Sequence, residues 1–245
     1  MKRIPFIVCL FFVIIVFMIT CCPEPEFNID HFKVYIVDTV GVNFEVSLKD
    51  QFNEDQRLAN VYSRDFFANA VCKDGKGIID STAHLTWYKI VQHDTVIHRT
   101  VSVKNQFGKF EWRIGEPVYL LVPTQKMEPA SSFPDNLDHF KCYEVFADDP
   151  LAREVELEDQ FDKQLGQKDM VTVMKPMYFC TPVEKNERHI FNEKDHLACY
   201  LIKSETEYPP MNIAIENQFG PDTLVIRKSY MLLVPSQKLK FEEIE

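Results

Sequence analysis

The chain has 245 residues, a formal net charge of −10 and a hydrophobic fraction of 46%. This length accommodates one large domain or two domains of about 100 residues each, and the composition is that of a folded protein. Binding to nucleic acid requires clustered positive charge, and the sequence contains no run of Lys and Arg. We therefore expect a folded protein that does not bind nucleic acid.

Residues 1–22, MKRIPFIVCLFFVIIVFMITCC, have the pattern of a signal peptide or membrane anchor. Two basic residues precede an apolar run over residues 6–20, which is long for a signal peptide and slightly short for a membrane span. Cys21 and Cys22 end a stretch that resembles a bacterial lipobox, so both are lipidation candidates. A lipoprotein, an uncleaved membrane anchor and a secreted protein remain open, and each alternative predicts export to the cell envelope or beyond.

Three short motifs recur four times in the same order, which indicates four internal repeats. The first motif is His-Phe/Leu-x-x-Tyr, and its histidines are His31, His84, His139 and His196. The second motif is Asp/Asn-Gln-Phe, and its glutamines are Gln51, Gln106, Gln160 and Gln218. The third motif is an apolar run that ends at Lys73, Lys126, Lys185 and Lys238. The separation between His and Gln is 20, 22, 21 and 22 residues, a constancy that chance does not explain.

The four copies form a doubled pair, because the first and third share Asp-Gln-Phe whereas the second and fourth share Asn-Gln-Phe-Gly. A Pro- and Ser-rich stretch separates the two pairs, as expected for a linker between domains. We predict the following organisation after the export segment: a spacer at 23–27, a first β domain at 28–128 with repeats 28–79 and 80–128, a linker at 129–135, and a second β domain at 136–241 with repeats 136–192 and 193–241.

The local sequence of each repeat predicts strands rather than helices. Stretches such as HFKVYIV and FEVSLKDQF are rich in β-branched and aromatic residues. Pro123, Pro182 and Pro235 stand near the ends of such stretches, where a missing N–H does not disturb the hydrogen-bond ladder. We therefore expect an all-β fold of two tandem sandwich or barrel-like domains, each built from two four-stranded repeats related by a pseudo-two-fold axis.

The repeated His and Gln residues have a chemical and a structural interpretation. Metal ligands would need further partners, and the sequence contains no His-x-His or Glu-x-x-His pair that would supply them. A ligand-binding Gln would be expected in some copies rather than in all four, whereas a loop clamp recurs in every copy. We interpret the eight residues as a repeated structural motif, and we predict no catalytic residue, metal or cofactor.

Four cysteines lie in the body of the chain, and an oxidising compartment would allow three full pairings among them. Cys142 and Cys180 occur together in the third copy and are both absent from the first two, which is the behaviour of a bonded pair. We favour this disulfide, which contributes about 4 kcal/mol in the chain-entropy model. Cys72 and Cys199 are then free or pair across the domains.

The ordered motifs DHFKCY, DQF and YFCTPVEK, followed by DHLACY, NQFG and LLVPSQK, resemble an uncharacterised family of exported, β-rich tandem-repeat domains from prokaryotes. The resemblance extends over nearly everything after residue 28. It implies a fold and a location but no activity or catalytic residue. The first copy departs from the pattern, because Val34 and Ala68 stand where that family tends to have Cys.

These observations predict a non-catalytic envelope protein that serves as a structural, adhesive or ligand-binding module. Its N-terminus would hold it at the membrane, and its partner would be an envelope or extracellular polymer or protein. A carbohydrate- or polymer-binding module is the alternative, recognisable by an exposed strip of aromatic rings that includes Trp87 and Trp112. An enzyme would instead require a polar pocket between paired repeats at which two of the repeated histidines converge.

Overall fold

A computed structural model describes residues 27–53, 55–92, 98–127, 132–147 and 150–244. The expected export segment with Cys21 and Cys22, most of the spacer and part of the linker lie outside these ranges. Within the described ranges, no helix is both long and apolar enough to cross a membrane.

Twelve strands and one short helix, α1 (Gln160–Leu165), make up the regular structure of the described residues. The strands are β1 (His31–Asp50), β2 (Arg57–Lys73), β3 (His84–Gln92), β4 (His98–Asn105), β5 (Gly108–Pro123), β6 (Gln125–Lys126), β7 (His139–Phe146), β8 (Arg153–Glu158), β9 (Asp169–Lys185), β10 (His196–Ser204), β11 (Met211–Asn217) and β12 (Gly220–Ile244). The prediction of an all-β fold is confirmed.

Eight of the strands form a closed ring, which we call the ring. Their order is β1-β2-β3-β5-β7-β9-β10-β12, and β12 pairs with β1 to complete the circle. Each predicted repeat contributes two neighbouring antiparallel strands, from β1 with β2 in the first repeat to β10 with β12 in the fourth. Because β5 pairs with β7 and β1 pairs with β12, all strands join in one sheet. The predicted division into two separate domains is therefore not confirmed.

Apolar side chains from all eight ring strands form one core cluster, which fills the interior of the ring. On β1, Phe32 and Val34 belong to this interior, whereas Tyr35 packs in a cluster on the outer face, as the alternation of side chains along a strand requires. Cys142 and Cys180 lie opposite each other on β7 and β9, and their sulfurs are joined. The predicted disulfide is confirmed, and Cys72 and Cys199 are free thiols.

The ring strands continue into hairpins that pack on the outer face of the ring. The hairpin of the first repeat places Val46 and Val61 against Ile90 and Leu120 of the second. In the same way, apolar residues of β11 and β12 pack against Tyr35 and other residues of the first repeat. Each hairpin ends at an Asp/Asn-Gln-Phe turn, which we call the hairpin tip. Because each hairpin packs along the adjacent repeat, its tip lies beside a repeat farther around the ring.

Candidate functional site

The four hairpin tips share one local structure. In each tip, the backbone N–H of the Phe donates to the side-chain oxygen of the Asp or Asn two residues earlier, with N···O distances of 2.8 to 3.1 Å. The accepting residues are Asp50, Asn105, Asp159 and Asn217. Such side-chain acceptors replace a backbone turn and are a main reason why Asp and Asn are favoured in turns. The second motif is therefore a turn motif in all four copies.

Each tip also reaches the Tyr of the His-Phe/Leu-x-x-Tyr motif two repeats away. The Tyr143 hydroxyl donates to Asp50 at 2.6 Å, and the Tyr35 hydroxyl donates to Asp159 at 2.9 Å. At the other two tips the donor is reversed, because the amide of Asn105 donates to Tyr200 at 2.9 Å and the amide of Asn217 donates to Tyr88 at 3.0 Å. Every tip is thus fixed to the repeat on the opposite side of the ring.

Two of the predicted glutamines contact predicted histidines of another repeat. The amide nitrogen of Gln51 contacts Nε2 of His196, and the amide nitrogen of Gln218 lies 2.5 Å from Nε2 of His139. Nδ1 of His196 is 2.9 Å from the carbonyl of Lys194, so Nδ1 carries the proton and Nε2 accepts from the Gln. These contacts join the first repeat to the fourth and the fourth to the third.

The other two glutamines depart from this contact. Gln106 lies beside His31 and raises its pKa against the stronger effect of burial, but neither Nε2 atom makes a regular hydrogen bond within the described ranges. Gln160 begins α1 and donates instead to Asn69 at 3.0 Å. As a result, neither ring nitrogen of His84 has a hydrogen-bond partner among the described residues.

All four predicted histidines are uncharged at neutral pH. Burial lowers the pKa of His84 and His139 to about 3 and the pKa of His31 and His196 to about 4. Nearby lysines add to this effect in each case. No group of three or more His, Cys, Asp or Glu side chains in the described part of the chain is arranged to hold a metal ion.

A buried ionic cluster surrounds the third hairpin tip. The Lys33 ammonium lies 3.0 Å from Asp162, 2.7 Å from Asp169 and 2.5 Å from the hydroxyl of Tyr208. Asp159 caps the N-terminus of α1 and is fully buried, and burial raises its pKa to about 6. Burial would also raise the pKa of Asp169, but Lys33 together with hydrogen bonds from Ser204 and Thr206 holds that pKa below its usual value. Lys33 therefore pairs directly with two buried carboxylates, and both Lys33 and Lys126 interact electrostatically with Asp159.

The first hairpin tip has a simpler ionic pair. The Lys141 ammonium lies 3.2 Å from Asp50, and both side chains are fully buried. Asp50 also accepts hydrogen bonds from Tyr143 and, at 3.0 Å, from Thr181. Burial alone would raise the pKa of Asp50, but Lys141, Tyr143 and the backbone N–H of Phe52 together hold it below its usual value. The sequence analysis missed both lysines, although Lys follows His-Phe only in the two copies that have Asp-Gln-Phe.

The corners before β1 and β7 depend on an Asp that the sequence analysis also missed. Asp30, which precedes His31, accepts from the backbone N–H groups of Ile79 and Asp80 at 2.7 and 2.9 Å. Asp138, which precedes His139, binds residues 191 and 192 in the same way, at 2.8 and 2.9 Å. The repeated Asp-His dipeptide was the available signal. At β7 the corner is held by Asp138, and His139 makes the contact with a hairpin tip.

One end of the ring interior is lined with aromatic rings. Phe66 stacks on Tyr230 with ring centroids 5.7 Å apart, and Tyr119 and Tyr178 meet edge to face at 5.4 Å. Trp87 lies among them, contacts Phe66 at 5.8 Å, and has no exposed surface. Trp112 is only 4% exposed, so neither Trp belongs to an exposed aromatic strip.

Residues 84–203 match the family model described as a repeat of unknown function (DUF7450). The matched segment runs from β3 into β10 and so includes most of the second repeat, the whole of the third and the start of the fourth. No curated protein and no solved structure matches the chain. The match agrees with the resemblance to an uncharacterised repeat family, and residues 84–203 are similar to the DUF7450 repeat.

Proposed function

We propose that the protein is a non-catalytic module of the cell envelope, with a structural, adhesive or ligand-binding role. The observation that carries this proposal is that repeated polar residues contact one another between repeats. His139 and His196 are buried, uncharged and occupied by a Gln from another repeat. A residue in this state joins parts of the fold and is not available to bind a substrate.

We also propose that the four repeats follow a cyclic plan with an approximate two-fold axis. Each hairpin would cover the next repeat and fix its tip to the repeat opposite, and Gln51, Gln106 and Gln218 would each reach the repeat beyond. The Asp50–Tyr143 and Asp159–Tyr35 contacts support the two-fold relation, because they exchange the first and third repeats. The alternation of Asp and Asn tips around the ring agrees with a two-fold rather than a four-fold axis.

The clamp role of Gln is tested by Gln218→Ala, with Gln237→Ala as the matched control, because both glutamines are exposed and Gln218 is the one in contact with a repeated His. Removing one partner of a buried polar group costs about 1–3 kcal/mol. We therefore expect Gln218→Ala to lower the free energy of unfolding in urea by this amount and Gln237→Ala to leave it unchanged. Equal stability of the two variants would contradict the clamp.

The location is tested by fractionation of bacterial cells that express the full chain. An exported lipoprotein would appear in the membrane fraction with a lipid on Cys21 or Cys22, and the double Cys21→Ala/Cys22→Ala variant would lose the lipid. An uncleaved anchor would keep both variants in the membrane at full length, whereas secretion would release both. Retention of the whole chain in the cytoplasm would overturn the proposed location.

A carbohydrate- or polymer-binding role is the second candidate, and the aromatic end of the ring favours it. Phe66, Tyr178 and Tyr230 are only partly buried there and would offer flat faces to a sugar ring. We expect envelope polysaccharides to change the fluorescence of Trp87 in a saturable way. Tyr178→Ala should abolish the change and Phe191→Ala, at an exposed site, should not. Unchanged binding in Tyr178→Ala would exclude this end as the site.

A further inference from the structure

The last part of β12 is an edge strand with one unpaired side. Ser236 lies opposite His196 of β10 and also opposite Asn105 of β4, so β10 and β4 flank β12 from opposite sides. The pairing with β10 ends at Ser236, whereas the pairing with β4 continues to Ile244. No described strand therefore pairs with residues 238–244 on the β10 side. An unpaired strand edge is a template for another strand.

This edge is longer and more exposed than its counterparts in the other repeats. The end of β2 pairs with β8 over two residues, and β9 pairs with β1 over three, whereas the end of β12 continues along β4 as far as Ile244. Residues 239–244 are all exposed. They include three apolar side chains that solvent reaches to about the same extent, Leu239 at 42%, Phe241 at 39% and Ile244 at 45%.

The charges of the edge are complementary to a reversed copy of itself. Lys238 and Lys240 stand before Phe241, and Glu242 and Glu243 stand after it. An antiparallel pair of two such strands, centred on Phe241, places each Lys240 directly opposite a Glu242 of the other copy. Opposite charges at facing positions stabilise antiparallel strands, and like charges destabilise them. A parallel arrangement in register would set Lys against Lys and Glu against Glu.

We propose that two copies of this chain associate through residues 238–244 of β12, antiparallel and with the two-fold axis at Phe241. The contact is a strand addition that continues the β4–β12 ladder into the second copy. Because the same segment is used by both copies, the interface closes on itself and yields a dimer rather than a filament. The two apolar rings at the axis would be removed from water together with the neighbouring apolar residues.

A charge-exchange series tests the pairing on the purified full chain, by analytical ultracentrifugation in detergent micelles that keep the N-terminal segment soluble. Lys240→Glu and Glu242→Lys each place like charges opposite one another, so each should raise the dimer dissociation constant at least tenfold. The double variant restores opposite charges and should return the constant to within about threefold of the wild type. Lys228→Glu, an exposed residue elsewhere on β12, is the control for net charge.

A cysteine pair tests the register independently. Facing residues at the axis have Cβ atoms about 5 Å apart, so mild oxidation should link Phe241→Cys to its own copy as a covalent dimer. Leu239→Cys lies four residues from its symmetric equivalent in this register and should not link. A monomeric wild type, a dimer insensitive to both charge reversals, or linkage at 239 and not at 241 would each overturn the proposal.

Discussion

The first and third hairpin tips are ionic and the second and fourth are neutral, although all four make the same turn and contact an equivalent tyrosine. At the ionic tips Asp50 has Lys141 nearby and Asp159 has Lys33 nearby. At the neutral tips the positions of these lysines are held by Thr86 and Ala198. A buried carboxylate needs a buried ammonium, whereas a buried amide needs only hydrogen-bond partners. The identity of one residue in the tip therefore determines the charge of another on a distant strand.

The two ionic tips also differ from each other. Lys141 serves one carboxylate, but Lys33 serves Asp162 and Asp169 and also lies close to Asp159. One additional carboxylate, Asp162, belongs to α1, which lengthens the third tip and diverts Gln160 from His84, and the other, Asp169, begins β9. The third tip thus has a larger buried ionic cluster than the first tip, and its Gln160 does not make the contact with a repeated His that Gln51 makes in the first tip.

The largest effect is expected when an ionic tip loses its lysine. Lys141→Thr, which introduces the residue found at position 86, removes the ammonium that lies 3.2 Å from the buried Asp50 carboxylate. Loss of one partner of a buried ion pair costs about 3–5 kcal/mol, and urea unfolding should show a loss of this size. The double variant Asp50→Asn/Lys141→Thr reproduces a neutral tip and should recover most of the stability. A double variant no more stable than the single one would contradict the comparison.

A smaller effect, with a pH dependence of known sign, is expected for Asp159→Asn. The pKa of Asp159 is raised to about 6 in the folded protein, so this carboxyl favours folding when protonated and opposes folding as pH rises from 4 to 6. The variant should therefore gain stability relative to the wild type between pH 4 and pH 7.5, by up to about 3 kcal/mol. Thermal unfolding at the two pH values measures the gain.

Asp50→Asn is the matched control for this prediction, because the expected change of stability with pH is opposite in direction. The pKa of Asp50 is lowered, so its ionised form stabilises the fold, and this stabilisation is lost as pH falls through the lowered pKa. The variant should lose stability relative to the wild type as pH rises. The same pH trend in both variants would contradict the difference between the two ionic tips that the structure indicates.

The smallest expected effect is a difference in stability between two Tyr→Phe variants, one at an ionic tip and one at a neutral tip. Tyr143→Phe removes a hydrogen bond to a charged acceptor, which is worth about 1.5–3 kcal/mol, whereas Tyr88→Phe removes one between neutral groups, worth about 1 kcal/mol. The difference should appear in the free energies of unfolding in urea. Equal losses would indicate that Lys141, rather than the tyrosine, provides nearly all of the stabilisation of Asp50.

Local features of this fold were predictable from the sequence, and its closure was not. Strand composition, the fourfold motifs and the joint occurrence of Cys142 and Cys180 are properties of short segments, and the all-β fold and the disulfide followed from them. The pairing of β5 with β7 and of β1 with β12 depends on which sheet edges meet in space. A Pro- and Ser-rich stretch between repeats gives the same signal whether it joins two domains or two parts of one sheet.

For the candidate site, the sequence predicted the residues of the motif but not the contacts that they make. The repeated His and Gln were identified, but their assignment as contacts between different repeats required the path of each hairpin around the ring. Lys33 and Lys141 were missed because the strand pattern places them beside apolar residues, where a lysine is usually read as solvent-exposed. The burial of Lys141 depends on a partner from another part of the chain, because its ion pair is with Asp50, more than 90 residues earlier in the sequence.

The closure of the ring has a consequence for the timing of folding. Residues 32–37 of β1 form one ladder with β2 and the other with residues 226–233 of β12, almost 200 residues later in the sequence. The first strand therefore has only one of its two neighbours until almost the whole polypeptide is present, and such long-range pairing is slow to form. If the proposed export is correct, a chain that crosses the membrane N-terminus first would be unable to form this ladder before β12 has followed. Completion of the fold would then wait until the last strand has crossed the membrane.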